Sequence, residues 1–454
     1  MKNDPLFEPF TLGALTLPNR IVMPPMTRSR ASQPGDEANE LMAAYYAQRA
    51  SAGLIVSEGT YISPLAKGYA WTPGIHTQPQ IDGWRKVTTA VHEAGGRIFA
   101  QLWHVGRLSH TSLLGGEQPV SSSAIQAKGV NVFIAGADGS NVPGFVQASA
   151  PRALSTAEIA EVVGQYRDAA RNAMLAGFDG VELHAANGYL VNQFIDSEAN
   201  NRTDEYGGSL ESRLRFLDEV TRALIDGTGN AQRVGIRLAP LTTLNGCVDA
   251  DPEMTYIAAA KLLGEIGVAY IHIAEADWDD APHMPVEFKQ RIRQAYPGTL
   301  IYAGKYTADR AREAIGAGWA DLIAFGRPFV ANPDLPQRLR SGADLATHHR
   351  ETLFGGGAQG SPITRRSQAR TTDEQLTNTE KRTSCESTFP HASASAQRRS
   401  AICIATSRTM KRSPRSTRPG TAESATSTQR RSMAQDSRSF DSAKRCRLIR
   451  ATSI

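Results

Sequence analysis

Short apolar runs alternate with longer amphipathic stretches along the first 360 residues. The runs are rich in β-branched and aliphatic side chains, which is typical of buried strands. Eight such strands are predicted, at Ile21–Met26, Leu54–Ser57, Ile98–Leu102, Val181–His184, Val234–Leu238, Tyr270–Ile273, Leu300–Ala303 and Leu322–Phe325.

An amphipathic helical pattern follows every strand. Helices are predicted near 39–52, 79–94, 155–176, 210–226, 252–266, 286–296, 308–316 and 334–341. Ser155, with Glu158 three residues later, is a typical N-cap, and Gly177 and Gly267 mark helix ends. Strands buried on both faces and alternating with helices indicate a parallel sheet, and eight repeats favour closure into a (β/α)8 TIM barrel of the α/β class.

Two segments do not belong to the repeat. Val105–Leu154 is a long Gly-, Ser- and Asn-rich excursion after strand three, and it predicts a lid over the active face of the barrel. Thr11–Arg20 alternates around a Gly-Ala turn before strand one, which predicts a hairpin that caps the bottom of the barrel.

Composition divides the chain near Gly360. Residues 361–454 carry 19 of the 50 Lys and Arg residues and 7 of the 45 acidic residues, so this tail is +12 and the remainder is −7. The tail contains 31 Ser or Thr, two Phe, and no Trp or Tyr. Because such a composition buries too little apolar surface to offset its ordering entropy, we expect a barrel domain at 1–360 and a disordered basic tail at 361–454.

The N-terminal sequence, the hydropathy and the cysteine content bear on cellular setting and metal binding. The first ten residues lack the apolar run of a signal peptide, and no stretch approaches the roughly 18 apolar residues that span a bilayer. We therefore expect a cytoplasmic protein with no membrane partner. Cys247 is the single cysteine of the first 360 residues, so neither a disulfide framework nor a cysteine-based metal site is predicted there.

The residues just past the predicted strands, where barrels of this kind build their active sites, are mostly polar. They are Thr27, Glu58, Gln101, Trp103, His104, His184, Asn187, Tyr189, Arg237, Glu275, Trp278, Gly304, Gly326 and Arg327. The glycines after strands seven and eight are able to hold a phosphate on backbone N–H groups, although many turns use glycine for geometry alone.

Seven stretches of the chain form a recognisable set. They are Met23-Pro-Pro-Met-Thr-Arg28, Gly53-Leu-Ile-Val-Ser-Glu58, Lys67-Gly-Tyr-Ala-Trp71, Gln101-Leu-Trp-His104, His184-Ala-Ala-Asn-Gly-Tyr189, Asn201-Arg-Thr-Asp-Glu-Tyr-Gly-Gly208 and Ala324-Phe-Gly-Arg-Pro-Phe329. In these motifs, their order and their spacing, the chain resembles the Old Yellow Enzyme family, to which N-ethylmaleimide and xenobiotic reductases belong. The resemblance implies an NADPH-dependent FMN barrel that reduces activated carbon–carbon double bonds, with NADH as the alternative hydride donor.

The resemblance also implies which residues bind FMN. Thr27 would contact the O4 side of the flavin and Gln101 its pyrimidine edge. Arg237 would lie beside N1 and the C2 carbonyl, where its positive charge stabilises reduced flavin. The other implied FMN contacts are Pro25, Gly59, Gly304, Lys305, Gly326 and Arg327, of which the last four would hold the phosphate.

A substrate site is implied in the same way. His184 and Asn187 would donate hydrogen bonds to one oxygen of an α,β-unsaturated carbonyl, maleimide, nitroalkene or nitrate ester, and Tyr189 would protonate the α-carbon. The pocket residues implied by analogy are Tyr69, Trp103, Trp278 and Phe354. No Gly-x-Gly-x-x-Gly fingerprint is present, which agrees with a nicotinamide that visits the same flavin face without a Rossmann domain.

Other functional classes stay open at this stage. A related flavin barrel fused to an iron–sulfur cluster would need clustered cysteines, and Cys385, Cys403 and Cys446 have no cluster spacing. A binding protein is the second class, either a flavin barrel without ene-reductase turnover or a tail that binds nucleic acid through its Arg runs. We favour a small-molecule substrate over nucleic acid, and a monomer or homodimer.

The chain departs from the family pattern at its end. After Gly360 it continues with Ser361-Pro-Ile-Thr-Arg-Arg-Ser367, where relatives have a short Tyr-Thr-Asp-Tyr-Pro-like ending. One choice of synonymous codons for this stretch encodes such an ending when the reading frame is shifted by one base. We therefore interpret 361–454 as an out-of-frame product of a single-base change, with a real disordered tail as the alternative. Leu353 and Phe354 also stand where relatives carry Phe-Tyr, so one pocket hydroxyl of the family is not expected here.

Overall fold

Eight parallel strands form the centre of the protein. The structure, a computed structural model, describes residues 4–136, 143–275, 282–349 and 352–355. The strands are Ile21–Met23 (β1), Leu54–Val56 (β2), Ile98–Trp103 (β3), Gly180–His184 (β4), Val234–Leu238 (β5), Tyr270–Ala274 (β6), Thr299–Ala303 (β7) and Leu322–Ala324 (β8). Each strand pairs with the next and β8 pairs with β1, so the sheet is a closed barrel, which confirms the predicted fold class.

Helices connect consecutive strands and extend beyond the last one. Within the described residues they are Glu40–Ala47 (α1), Gln78–Glu93 (α2), Thr156–Leu175 (α3), Leu190–Ile195 (α4), Leu210–Thr228 (α5), Pro252–Ile266 (α6), Val286–Ala295 (α7), Ala308–Gly316 (α8), Gly326–Ala331 (α9) and Leu335–Ser341 (α10). Short 3-10 turns lie at Pro5–Phe7, Pro64–Ala66, Thr111–Leu113, Ala231–Arg233 and Leu244–Gly246.

The helix ends follow the predicted signals. At the start of α3 the Ser155 side chain accepts from the Glu158 N–H, and the Glu158 carboxylate accepts from the Ser155 N–H at 2.8 Å, which is a complete capping box. Gly267 ends α6 in the left-handed region, with φ +80°. These local contacts fix where each helix leaves the barrel wall.

Some predicted bounds differ from the structure. The strand predicted at Ile21–Met26 ends at Met23, because Pro24 and Pro25 have no N–H to pair with a neighbouring strand. The pattern also missed α4 and α9, since six residues are too few to show a helical period. Both helices follow strands that end at the cavity described below.

The predicted bottom hairpin is confirmed. Phe10–Leu12 pairs antiparallel with Leu15–Leu17. The buried side chains of Leu12 and Leu17 pack with Leu54, Tyr270 and Leu322, which lie at the beginnings of barrel strands. The hairpin therefore closes the end of the barrel opposite the active face.

The long excursion after β3 is also confirmed. Its central feature is an antiparallel hairpin, Asn131–Ile134 with Gly144–Gln147, which we call the lid hairpin. The N–H of Ala70 donates to the carbonyl of Phe133 at 2.8 Å and attaches the lid hairpin to the loop after β2.

Two sequence-based predictions concern residues that the structure does not describe, Trp278 and the tail at 361–454. Among the residues it does describe, none of the helices is long and apolar enough to span a bilayer.

Candidate active site

A cavity of about 630 Å³ opens at the carboxyl ends of the barrel strands. Its size is in the range of small-molecule and cofactor sites, roughly 300 to 1,000 Å³. Most of the residues predicted to form the site line it: Pro25, Thr27, Tyr69, Gln101, Trp103, His184, Asn187, Tyr189, Arg237, Gly304, Lys305, Gly326, Arg327 and Phe354. The structure thus brings together residues that are distant from one another along the chain.

Gly59, expected to contact FMN, does not line the cavity. A Cβ atom at this position would lie 2.6 Å from the Trp103 ring, so glycine is needed here to let the indole pack closely. Gly59 therefore acts on the site through the placement of Trp103.

His184 and Tyr189 form the substrate side of the cavity. His184 is the last residue of β4, and Tyr189 immediately precedes α4. Their ring centroids are 4.6 Å apart, and the Trp103 ring stacks on the imidazole with a centroid separation of 6.0 Å. Aromatic packing thus holds both polar side chains in fixed orientations.

Asn187 lies between them in a turn with a special backbone conformation. Its φ is +58°, in the left-handed region, which Asn tolerates better than most residues. The Asn245 side chain donates to the Asn187 carbonyl at 2.7 Å, and the Asn192 side chain accepts from the Gly188 N–H at 2.8 Å. The loop after β5 therefore fixes the turn that presents Asn187.

His184 is a neutral imidazole in this environment. Burial, the guanidinium of Arg237 and the nearby His272 hold the pKa of His184 well below its usual range. Within the described chain its buried Nδ1 has no hydrogen-bond partner. Because buried polar atoms are usually paired, this atom is consistent with a site completed by a bound molecule.

Two tyrosine hydroxyls meet at the cavity. The hydroxyls of Tyr69 and Tyr189 are 3.3 Å apart. Burial raises the pKa of Tyr69 and the hydrogen bond with Tyr189 opposes that shift, so Tyr69 stays protonated. One hydroxyl of the pair must donate to the other, and this orients both.

A buried polar network lies inside the barrel, below the cavity. The Glu182 carboxylate, which is fully buried, accepts from Gln101 Nε2 at 2.8 Å, from the Tyr270 hydroxyl at 3.0 Å, and makes a 2.9 Å contact with His272 Nδ1. Gln101 and Arg237 occupy the strands on either side of Glu182. Glu182 thus determines which way the Gln101 amide faces.

The donor set of the cavity fits FMN. At one end the backbone of Gly304 and Gly326 adjoins the cations Lys305 and Arg327, a chemistry that suits a phosphate. Elsewhere a hydroxyl, an amide and a guanidinium are available to the polar edge of a flavin ring; these belong to Thr27, Gln101 and Arg237.

Sequence reasoning missed several residues of the site. Glu182 and His272 could have been found, because each lies on a predicted strand, where inward-facing side chains recur at every second position. Phe133 and Phe145 of the lid hairpin, and Arg28 after β1, also line the cavity. Nothing in the local sequence indicates which side chains of a long loop turn towards the barrel.

Known proteins resemble this chain closely. The family described as NADH:flavin oxidoreductase / NADH oxidase matches residues 5–346. A protein named 12-oxophytodienoate reductase 1, from Oryza sativa subsp. japonica, is 42% identical over 361 residues, covering 77% of this chain and 90% of that protein. The solved structure of morphinone reductase in complex with tetrahydroNAD is 49% identical in sequence and has a TM-score of 0.75. The match covers 79% of this chain and 96% of the morphinone reductase chain. The structure of the Old Yellow Enzyme homologue from Zymomonas mobilis is 42% identical in sequence and has a TM-score of 0.73. The match covers 79% of this chain and 98% of that homologue's chain.

Proposed function

The chain belongs to the NADH:flavin oxidoreductase / NADH oxidase family, with an Old Yellow Enzyme-type barrel for FMN, and on this basis we propose that it is an ene-reductase. Its acceptors would be α,β-unsaturated carbonyls, maleimides and nitroalkenes, with nitrate esters as a further class. The observation that carries this proposal is that His184, Asn187 and Tyr189 line one cavity together with the residues suited to FMN.

FMN, when bound, would supply two-electron hydride chemistry between a reduced nicotinamide and the acceptor. Thr27, Gln101 and Arg237 would hold its ring, with Pro25 beside them. The residues that would hold its phosphate are Gly304, Lys305, Gly326 and Arg327.

His184 and Asn187 would bind the acceptor through its carbonyl or nitro oxygen. A neutral imidazole has one N–H to donate, and the Asn187 amide has two. As negative charge develops on the acceptor oxygen, donors that are already in place stabilise it without reorganisation. The fixed turn at Asn187 supplies that preorganisation.

Tyr189 would supply the proton. Its ring packs against the imidazole of His184, and its hydroxyl is a proton donor of the kind that protonation of the α-carbon requires. The hydrogen bond with Tyr69 orients the Tyr189 hydroxyl before the acceptor binds.

A reduced nicotinamide is the proposed hydride donor. The morphinone reductase structure similar to this chain is a complex with tetrahydroNAD, which favours a nicotinamide as the donor here as well. NADPH and NADH are both candidates, and steady-state rates with each at equal concentration will rank them.

Acceptor-dependent oxidation of NADPH or NADH tests the proposal. FMN-loaded protein should oxidise the nicotinamide when 2-cyclohexenone is added, and a His184→Ala, Asn187→Ala double variant should lose at least about 100-fold in kcat/KM for the enone. His110→Ala, on the excursion outside the cavity, is the matched control and should behave as the parent. A yellow protein that oxidises neither nicotinamide with any of the three main acceptor classes would overturn the proposal.

A further inference from the structure

We infer that Arg28 and Arg30 are positioning residues that hold residues 352–355, here called the rim segment, against the cavity, so that Leu353 and Phe354 set acceptor specificity. The inference rests on the proposed function, because it concerns the acceptor that this site would bind. It assigns a task to two arginines and to Glu58, which the proposed mechanism does not use.

Three arginine hydrogen bonds join the rim segment to the loop after β1. Arg28 donates from Nε to the Leu353 carbonyl at 3.0 Å and from Nη2 to the Thr352 carbonyl at 3.2 Å. Arg30 donates from Nη2 to the same Thr352 carbonyl at 2.9 Å. In return, the N–H of Gly355 donates to the Arg28 carbonyl at 3.0 Å. The planar guanidinium suits this task, because its donors point in fixed directions.

The conformation of the rim segment itself is restricted at Gly355. Its φ is +64°, and a Cβ atom there would lie 3.2 Å from the Trp71 ring. The N–H of Ala31 in turn donates to the backbone carbonyl of Trp71 at 3.0 Å. The rim segment and the loop after β1 are therefore connected through a third loop as well.

Burying this pair of arginines is unfavourable in itself. Arg28 and Arg30 are only 3% and 8% exposed. Burial and the charge of Arg28 lower the pKa of Arg30 to about 10, and Glu58 opposes that shift. Glu58, 1% exposed, accepts from the Arg28 N–H at 3.1 Å. Apolar side chains would fill the same space without this cost, so the arginines are explained by what they hold: the rim-segment carbonyls and, for Arg28, also the Tyr45 ring, whose centroid lies 4.9 Å from the guanidinium carbon.

The rim segment contributes an apolar wall to the cavity. Leu353 and Phe354 both line it, and so do Phe133 and Phe145 from the lid hairpin. Phe354 is 37% exposed, so its ring stands at the cavity mouth rather than in the core. An acceptor with an apolar ring body would pack against these side chains, with its oxygen at His184 and Asn187.

A double-mutant cycle tests the inference. The full-length FMN-loaded protein is titrated with 2-cyclohexenone and with a larger cyclic enone that carries an apolar substituent. The Kd of each enone is read from the change in flavin absorbance. Arg30→Met and Phe354→Ala should each weaken binding of the larger enone about tenfold. The double variant should be no weaker than the worse single variant, because both changes remove the same wall.

Control variants separate positioning from general damage. Arg338→Met removes a guanidinium that donates to the Asp344 carbonyl at 2.9 Å, away from the cavity, and should leave Kd unchanged. Phe145→Ala, in the lid hairpin rather than the rim segment, should combine additively with Arg30→Met. If Arg30→Met does not fold, Gly355→Ala displaces the rim segment without touching the arginines and should give the same loss.

Two results would overturn the inference: an unchanged Kd in Arg30→Met with full FMN content, or additive effects of Arg30→Met and Phe354→Ala. The Kd requires no turnover, so this outcome is independent of the ene-reductase proposal. If the protein binds enones but reduces none of them, the proposed function fails and the coupling between Arg30 and Phe354 is still measured.

Discussion

Burial sets the protonation state of two histidines, His104 and His184. It lowers the pKa of His104 to about 3, and it is also the main cause of the lowered pKa of His184. His104 Nδ1 accepts from the Gly106 N–H at 3.1 Å, which requires the neutral ring. His104 therefore acts through this hydrogen bond rather than through charge, and we propose the same of His184 with a bound acceptor.

The pH dependence of stability should report the buried His104. The unfolded chain takes up a proton at this residue below about pH 6.5, whereas the folded protein does not until near pH 3, so acid favours unfolding. When the pH falls from 7.5 to 5.5, the protonation of His104 in the unfolded chain should lower the free energy of unfolding by about 1.4 kcal/mol. Urea denaturation at both pH values, comparing the parent with His104→Gln and with His110→Gln as a surface control, measures it. An equal pH dependence in the parent and in His104→Gln would contradict the assignment.

Tyr189 should matter in only one half of the reaction. Replacing it with Phe removes the proposed proton donor but keeps the ring that packs on His184 and Trp103. Stopped-flow reoxidation by 2-cyclohexenone should slow about 100-fold, while the limiting rate of flavin bleaching by the nicotinamide should stay within about twofold. Equal slowing of both halves would assign Tyr189 to packing instead.

At the scale of elements, the barrel could be predicted and parts of its active face could not. Strands such as Val234–Leu238 are predicted with the observed bounds, because they are buried on both faces and bounded by helices. The positions of His184, Asn187 and Tyr189 followed from motif resemblance. The arginine contacts to the rim segment join residues 322 to 325 positions apart, and no periodic pattern encodes such contacts.

The cross-strand network at Glu182 gives a prediction at this scale. Glu182→Gln replaces one carboxylate oxygen with an NH2 group, so either Gln101 Nε2 or the Tyr270 hydroxyl loses its buried acceptor, and the unfolding free energy should fall by about 2 kcal/mol. The flavin absorption maximum should also shift, because the hydrogen bond that anchors Gln101 is weakened or lost. Glu158→Gln, a surface capping residue, should cost about 1 kcal/mol or less with no spectral change. A Glu182→Gln variant as stable as the parent would show that the network is dispensable.

The whole molecule combines two unlike compositions. The acidic first 360 residues contain every element described above, and the basic tail has the composition expected of an unstructured or out-of-frame segment. That boundary is a proposal from composition and from the loss of family resemblance after Gly360. Sequencing the gene across codon 360 tests the frame interpretation, and an intact frame with no alternative ending would contradict it.

Removal of the tail should leave the enzyme intact. A chain ending at Gly360 keeps the rim segment and all cavity residues named here. We expect flavin content and enone turnover within about twofold of the full chain, because every described residue that lines the cavity precedes residue 361. A large loss of either property would assign the tail a role in the barrel.

The most direct test of the central claim is an anaerobic flavin spectrum recorded in two steps. Addition of NADPH, or of NADH in a parallel sample, to the purified yellow protein should bleach the flavin absorption, and addition of N-ethylmaleimide should then restore it. Bleaching without recovery, with N-ethylmaleimide and with 2-cyclohexenone alike, would contradict the assignment of this site to double-bond reduction.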